Sequence, residues 1–279
     1  MHGVRGPAIR AVMEHRLLIS YRIEPDVLRA VLPVWFRPAL AGGYGVGSIC
    51  LIGLTGIRPG LAGVRPSPSG VRPSPSGVRP GRAGVRPGGL FPAAFGLRAQ
   101  NVAHRIAVVL DTADGPADSV YIPVRYTSSR LAACTGGLLF PRLGTARFHA
   151  SEQDGRYQIT AQSADGATRV AVDAQRAASL PAGSVFADLD EASSFFLLAP
   201  VGYSPASLPG VFDRVKLDVS YRELHPLRLD TVTSSFFDDP GLFPPGTATL
   251  DSAFAATGLA TWQLLPQLRI DQAVPAGRP

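Results

Sequence analysis

The segment Leu17–Leu32, with the sequence LLISYRIEPDVLRAVL, contains the pattern that decides the fold. In its first half, apolar and other residues alternate. One face carries Leu17, Ile19, Tyr21 and Ile23, and the other carries Arg16, Ser20 and Arg22. A period of two predicts a half-buried β-strand. From Glu24 to Leu32 the apolar spacing changes to that of a helix, and Pro25 suits its first turn.

The same alternation recurs along the chain and predicts a β-rich protein. It is found in residues 102–110, 120–126, 157–161 and 215–221, whereas residues 44–54 are apolar on both faces and predict a central strand. Only two further short helices are expected, from Ser128 to Thr135 and from Asp188 to Leu198. Strands do not alternate with helices as in a Rossmann-like fold. We therefore predict a mainly β (β-rich α+β) antiparallel domain with a few short flanking helices.

Residues 56–89 form a heptad repeat that we expect to be a disordered insertion. The tetrapeptide Gly-Ile/Val-Arg-Pro recurs every seven residues, starting at Gly56. A proline in each heptad excludes a coiled coil and favours an extended chain. Two interpretations remain open: a duplicated loop without function, or an arginine-rich arm that binds phosphate or an anionic membrane.

The insertion also accounts for the basic character of the chain. It contains six arginines and no acidic residue, and the formal net charge of the whole chain is +6. The rest of the protein is therefore formally neutral, so we expect no specific nucleic-acid partner. No apolar stretch is long enough for a membrane span.

The predicted organisation is one domain with flexible ends. We expect a flexible N-terminus at residues 1–13, a single domain at 14–268 interrupted by 56–89, and a flexible tail at 269–279. Either Met1 or Met13 could start the protein, because strand patterning begins only after Met13. Two cysteines and no visible secretory signal predict a cytoplasmic location.

Standard motifs for cofactors, metals and nucleophiles are missing from the sequence, so we expect no cofactor and no metal. Cys50 lies in an apolar run and is predicted to be a buried small side chain. His104 falls on the apolar face of its strand, where it is either a satisfied core histidine or an acid or base lining a pocket.

A polar cluster follows the strand at residues 120–126. Tyr126 is followed by Thr127, Ser128, Ser129 and Arg130 at a predicted helix start. Such a start either is capped in the ordinary way or holds a carboxylate or phosphate on its free N–H groups.

The only lysine of the chain, Lys216, shares a face with Asp218. That face is predicted to be solvated, which argues against a Schiff-base role.

Five stretches together resemble the acetoacetate decarboxylase-like superfamily, in its uncharacterised bacterial branch known as domain of unknown function 2071. They are residues 18–33, 101–108 (NVAHRIAV), 121–130 (YIPVRYTSSR), 137–142 (GLLFPR) and 234–237 (SSFF). The resemblance covers residues 14–268 apart from the insertion. It implies a closed or cone-like antiparallel β-barrel with flanking helices and an internal cavity.

The resemblance also implies where this chain departs from the decarboxylases. Those enzymes carry a Phe/Tyr-Pro-Lys-Lys motif, and the similar stretch here is Phe140-Pro141-Arg142-Leu143. An arginine stays protonated and cannot form an imine. The branch commonly has a glutamate where this chain has Gln100. Decarboxylation through a Schiff-base lysine is therefore not expected, and whether the chain is an enzyme stays open.

The expected function is binding of a small carboxylate or keto compound. Arg142 would grip the anion, with His104 and Gln100 nearby. The full candidate pocket is Gln100, Asn101, His104, Tyr126, Ser128, Arg130 and Arg142. Two alternatives remain: a non-catalytic binding or scaffold protein of the same fold, and nucleic-acid or membrane-surface association through the arginine-rich insertion.

Overall fold

The computed structural model describes residues 8–60, 98–112, 114–130 and 143–269. Strands dominate these ranges, which confirms the mainly β prediction. The strands are β1 (Ala8–Ile23), β2 (Phe36–Pro38), β3 (Leu40–Ala41), β4 (Tyr44–Gly60), β5 (Ala99–Thr112), β6 (Gly115–Thr127), β7 (Gly144–Gln153), β8 (Arg156–Ser163), β9 (Arg169–Arg176), β10 (Val201–Pro205), β11 (Val211–Ser234) and β12 (Ala248–Arg269). The helices are α1 (Pro25–Val31) and α2 (Leu189–Leu198), close to where the sequence predicts them.

The strands form one sheet of mixed direction. Their hydrogen-bonded order is β10-β6-β7-β8-β9-β11-β12-β1-β4-β5-β2, with β3 on β4 and with further pairings β10–β11 and β6–β5. Most pairs are antiparallel, but β6 is parallel to both β7 and β10. The expected all-antiparallel sheet is therefore not confirmed, and the closed barrel stays a prediction. The physical reason lies in the connection from β6 to β7, because residues 128–143 are long enough for a crossover.

One face of the sheet holds the main apolar core. The predicted inward residues of β1 are there, joined by residues of β4, β5, β8 and β9: Leu17, Ile19, Tyr21, Ile23, Ile49, Leu51, Val102, Ile106, Val108, Tyr157, Ile159, Val170 and Val172. Leu28 of α1 packs so closely over Gly45 that a Cβ there would lie 2.2 Å from its Cδ1. The glycine therefore lets α1 seat directly on β4.

The other face of β1 is buried as well, although the sequence predicts it to be solvated. A second apolar cluster covers it, formed by Leu18, Val46, Cys50, Ala107, Phe186, Ala192, Phe196 and Phe254. Ala192 and Phe196 belong to α2. As a result Arg16 is only 2% exposed and Ser20 only 1%. The covering helix is far away in sequence, so local alternation could not reveal it.

Two strands extend beyond their predicted limits. β1 begins at Ala8 and pairs there with β12 and β4, so residues 8–13 are not the flexible N-terminus that we expected. β4 continues to Gly60, so residues 56–60 of the predicted insertion also belong to the sheet. The rest of the insertion, the C-terminal tail beyond Arg269 and most of the helix predicted at 128–135 lie outside the described residues. Within the described part of the chain, neither helix has the length and apolarity needed to cross a membrane.

Candidate functional site

A row of three residues across β1, β4 and β5 places a histidine next to Gln100. His15 pairs with Gly53, and Gly53 pairs with Gln100 on its other side. A Cβ on Gly53 would lie 2.4 Å from His15 Cε1, so the imidazole occupies the space that a side chain would take. The glycine thus allows the His15 ring to lie over β4 towards Gln100.

His15 is enclosed by polar groups from several strands. It is 7% exposed, its ring lies 6.4 Å from that of Tyr157, and its Nδ1 lies 3.9 Å from Glu152 Oε2. Burial lowers the pKa of His15, while Glu152 and the Gln100 side chain oppose this shift. Its buried Nε2 has no hydrogen-bond partner among the described residues. A neutral imidazole with an unused nitrogen can accept or donate a hydrogen bond to a ligand.

The backbone of Gln100 ties the end of β6 to this row. Ser128 N–H donates to the Gln100 carbonyl at 2.8 Å, and Gln100 N–H donates to Ser128 Oγ at 2.9 Å. Ser128 and Arg130 are both exposed. Asn101 is engaged elsewhere, since its Nδ2 donates to the carbonyls of Ile52 and Ala99 at 3.4 Å.

Tyr126 joins β6 to its neighbours. Its hydroxyl accepts a hydrogen bond from Thr168 Oγ1 at 3.3 Å, and its ring lies where a Cβ of Gly144 would be. A groove of about 170 Å³ opens beside it between β6, β7 and β10. Arg125 and Ser204 supply polar atoms to this groove, and burial lowers the pKa of Arg125 to about 10 against the opposing effect of Asp213.

His104 lies in the apolar core, apart from Gln100. It is fully buried, its Nε2 lies 2.9 Å from Ser234 Oγ, and the rings of Phe236 and Phe237 are 5.0 and 5.7 Å away. Because Ser234 Oγ also accepts from the Phe237 N–H, its own proton is available for the imidazole. Burial lowers the pKa of His104 to about 4, so the ring is neutral at pH 7.

Lys216 lies on β11 and is half-buried, whereas the sequence predicts a solvated position. Its side chain is 40% exposed, and its Nζ lies 3.4 Å from Asp218 Oδ1. Arg142, the residue expected to grip an anion, lies outside the described residues. The described ranges contain no group of three residues that could hold a metal ion.

Sequence reasoning overlooked two groups of this site, His15 and Glu152. His15 has the same parity as Leu17 and Ile19, so the alternation of β1 already carried a signal that it faces inward. Glu152 reaches the site from β7, and only the approach of β7 to β1, which is far away in sequence, brings its carboxylate near His15. No local pattern marks it.

Comparisons with known proteins support the fold. No protein-family model and no curated protein matches the chain. Among solved structures, an acetoacetate decarboxylase from Legionella pneumophila superposes with a TM-score of 0.55 at 10% identity, covering 96% of this chain and 93% of that one. A second acetoacetate decarboxylase gives 0.53 at 15% identity, covering 96% and 90%. The enduracididine biosynthesis enzyme MppR complexed with pyruvate gives 0.51 at 11% identity, covering 96% and 92%. The chain thus has an acetoacetate decarboxylase-like fold.

Proposed function

We propose that this chain belongs to the domain of unknown function 2071 branch of the acetoacetate decarboxylase-like proteins. We further propose that its strands close into a barrel, which binds a small carboxylate or keto compound at the end of its interior marked by His15, Gln100 and Tyr126. The ligand class is that of pyruvate, which is bound by the structural neighbour MppR.

One observation carries this proposal: the row His15–Gly53–Gln100. In this row the imidazole of His15 and the side-chain amide of Gln100 belong to residues on either side of Gly53, which has no side chain and so leaves room for the ring. A polar group that is buried without a partner is costly, so the unused Nε2 of His15 favours an incoming hydrogen-bonding ligand. Small-molecule sites typically combine an apolar interior with a few such groups.

In the proposed site binding is not covalent. The only lysine of the chain is half-buried and ion-paired with Asp218, so we assign no imine to it. We propose that Arg142, which lies outside the described residues, supplies a two-pronged charge-assisted bond to the carboxylate. Gln100 and His15 contact the keto oxygen, and two further residues of the predicted pocket, Ser128 and Arg130, follow the end of β6.

The test is thermal stabilisation by pyruvate and acetoacetate. At one hundred times Kd a ligand stabilises by about 2.7 kcal/mol, which for a chain of this size raises Tm by at least about 5 °C. Arg142→Ala should abolish the shift and Gln100→Ala should reduce it. Arg147→Ala, an exposed arginine of β7, is the matched control and should keep it. Absence of a shift in the wild type across a broad panel of carboxylic and keto acids would refute the proposal.

The tight packing around His104 favours a second candidate, a non-catalytic scaffold of the same fold. Its imidazole is neutral and held between Ser234 and two phenylalanines, as expected for a core residue. A scaffold would show neither a ligand-induced shift nor any dependence on Gln100. The same panel of acids therefore separates the two functions.

A further inference from the structure

Cys50 lies between two buried arginines on the face of the sheet that is covered by α2. Cys50 pairs with Leu18 of β1 and with Ala103 of β5, and the guanidinium groups of Arg16 and Arg105 approach its sulfur from those two strands. The three side chains are 4%, 2% and 8% exposed. The cluster therefore contains two positive charges away from solvent.

The described residues provide no carboxylate for this cluster. Arg16 Nη1 donates to the hydroxyl of Tyr221, but none of the described ion pairs includes Arg16 or Arg105. The Nε of Arg16 and the Nη1 of Arg105 are buried without a hydrogen-bond partner among the described residues. Burying two unpaired cations is expensive, and arginine does not escape by losing its proton.

The Cys50 thiol is the group that can supply a compensating negative charge. Burial alone would raise its pKa, but the two guanidinium groups together lower the pKa below the ordinary value. Tyr221, from β11, is the other titratable group of this cluster: it contacts Arg16 and acts on Arg105 through its charge alone.

The helix above the cluster adds no charge to it. α2 contributes Ala192 and Phe196, which are apolar, while Asp190 and Glu191 are exposed. Glu191 is already engaged, since its Oε2 accepts from the Ala187 N–H.

We propose that Cys50 is a thiolate in the folded protein and a site of oxidation by hydrogen peroxide. The thiolate sulfur attacks one peroxide oxygen, so that an S–O bond forms and the O–O bond breaks. Sulfur loses two electrons, the peroxide is reduced, and the leaving hydroxide takes the proton of the new S–OH group, so that the products are a sulfenate and one water molecule. Hydrogen peroxide is uncharged and close in size to water, as a reagent for a buried sulfur must be.

The oxidised product fits the same surroundings. The oxygen added to sulfur needs hydrogen-bond donors, and the unpartnered nitrogens of Arg16 and Arg105 belong to the guanidinium groups that already contact the sulfur. These donors stabilise a sulfenate as they stabilise the thiolate. The Cys50 cluster shares no residue with the proposed carboxylate pocket, so this proposal does not depend on the proposed function.

The first experiment measures the charge of the thiol. Cys134→Ser leaves Cys50 as the only cysteine, and the ultraviolet absorbance of its thiolate is followed against pH. The absorbance of the double variant Cys50→Ser/Cys134→Ser, which keeps the tyrosines but has no thiol, is subtracted at each pH. The midpoint should lie below the value of about 8.5 for an unperturbed cysteine. A midpoint at or above 8.5 would overturn the proposal.

The second experiment measures the chemistry. The folded Cys134→Ser protein is treated with hydrogen peroxide at pH 7 in the presence of dimedone, which traps sulfenic acid, and the adduct is mapped by mass spectrometry. An adduct at Cys50 is expected. Its absence, under conditions in which the unfolded chain reacts, would contradict the proposal.

An arginine variant checks that the cluster controls this reaction. Arg105→Met should slow adduct formation at pH 7 at least about twofold, because loss of a guanidinium group raises the pKa of the Cys50 thiol and a pKa equal to the working pH leaves only half of it as thiolate. Arg37→Met is the control, since Arg37 is exposed and pairs with Asp111. Equal rates in the two variants would oppose the proposal. The titration and the mapping on Cys134→Ser decide the question even if Arg105→Met does not fold.

Discussion

Replacing Gly53 by alanine tests the packing on which the candidate site rests. A Cβ at this position would lie 2.4 Å from Cε1, 2.8 Å from Nε2 and 2.9 Å from Nδ1 of His15. All three distances are shorter than van der Waals contact, so the imidazole has to leave its place over β4. Because the ring is buried, we expect overpacking to lower the free energy of unfolding by about 1–3 kcal/mol. Urea unfolding followed by circular dichroism measures this change.

A double-mutant cycle identifies the cause of that loss. His15→Ala removes the ring, so in its presence Gly53→Ala should cost at least about 1 kcal/mol less than in the wild type. Gly241→Ala is a matched control. Its new Cβ would meet only the Asp239 carboxylate, at 3.1 Å, and should change stability by less than about 0.5 kcal/mol. If Gly53→Ala is neutral, or if its cost is the same with and without His15, the ring does not lie over Gly53 and the proposed row is wrong.

Three further predictions concern other parts of the molecule. Burial lowers the pKa of His104 to about 4 from 6.5, so between pH 7 and pH 5 the unfolded chain takes up more protons than the folded protein. This group alone should therefore lower the free energy of unfolding by about 2 kcal/mol over that range. Urea unfolding at pH 7 and pH 5 should show a smaller loss for His104→Gln than for the wild type. Treatment with acetoacetate and sodium borohydride should leave the protein mass unchanged, since the Lys216 ammonium group is paired with Asp218; a reduced adduct mapped to Lys216 would contradict this. Deleting residues 62–88 should lower Tm by less than about 8 °C, because each doubling of loop length changes the free energy of unfolding by only about 0.6 kcal/mol. A larger fall of Tm in calorimetry would show that this segment packs on the domain.

The local elements of this fold were predictable because alternation is a local property. The period of two in β1 and the change of period at Glu24 identified the first strand and α1 correctly. The same pattern could not reveal which polar face would be covered. Arg16 is buried on the face covered by an apolar cluster, to which α2, more than 170 residues later in the chain, contributes Ala192 and Phe196.

The direction of strand pairing and the composition of the candidate site were harder to predict from the sequence. Parallel pairing of β6 depends on how the chain returns after residue 128, and the composition of that connection says nothing about the strand that it will join. Gln100 was identified through the family resemblance rather than through its own surroundings. Glu152 had no signal at all, since only the three-dimensional arrangement of β7 and β1 brings its carboxylate to His15.

Neighbouring residues of β1 connect the two clusters described above, yet keep them separate. His15 and Arg16 follow one another, so their side chains point to opposite faces of the sheet. The register of β1 shifts against β12 between Met13 and Arg16, and against β4 between Met13 and His15. A bulge at this point re-aims side chains locally, which lets β1 bury an imidazole on one face and a guanidinium on the other. Changes to His15 should therefore alter carboxylate binding without moving the Cys50 thiolate midpoint. Arg16→Met should do the reverse, and a variant of either residue that disturbs both properties would show that the sheet transmits the change.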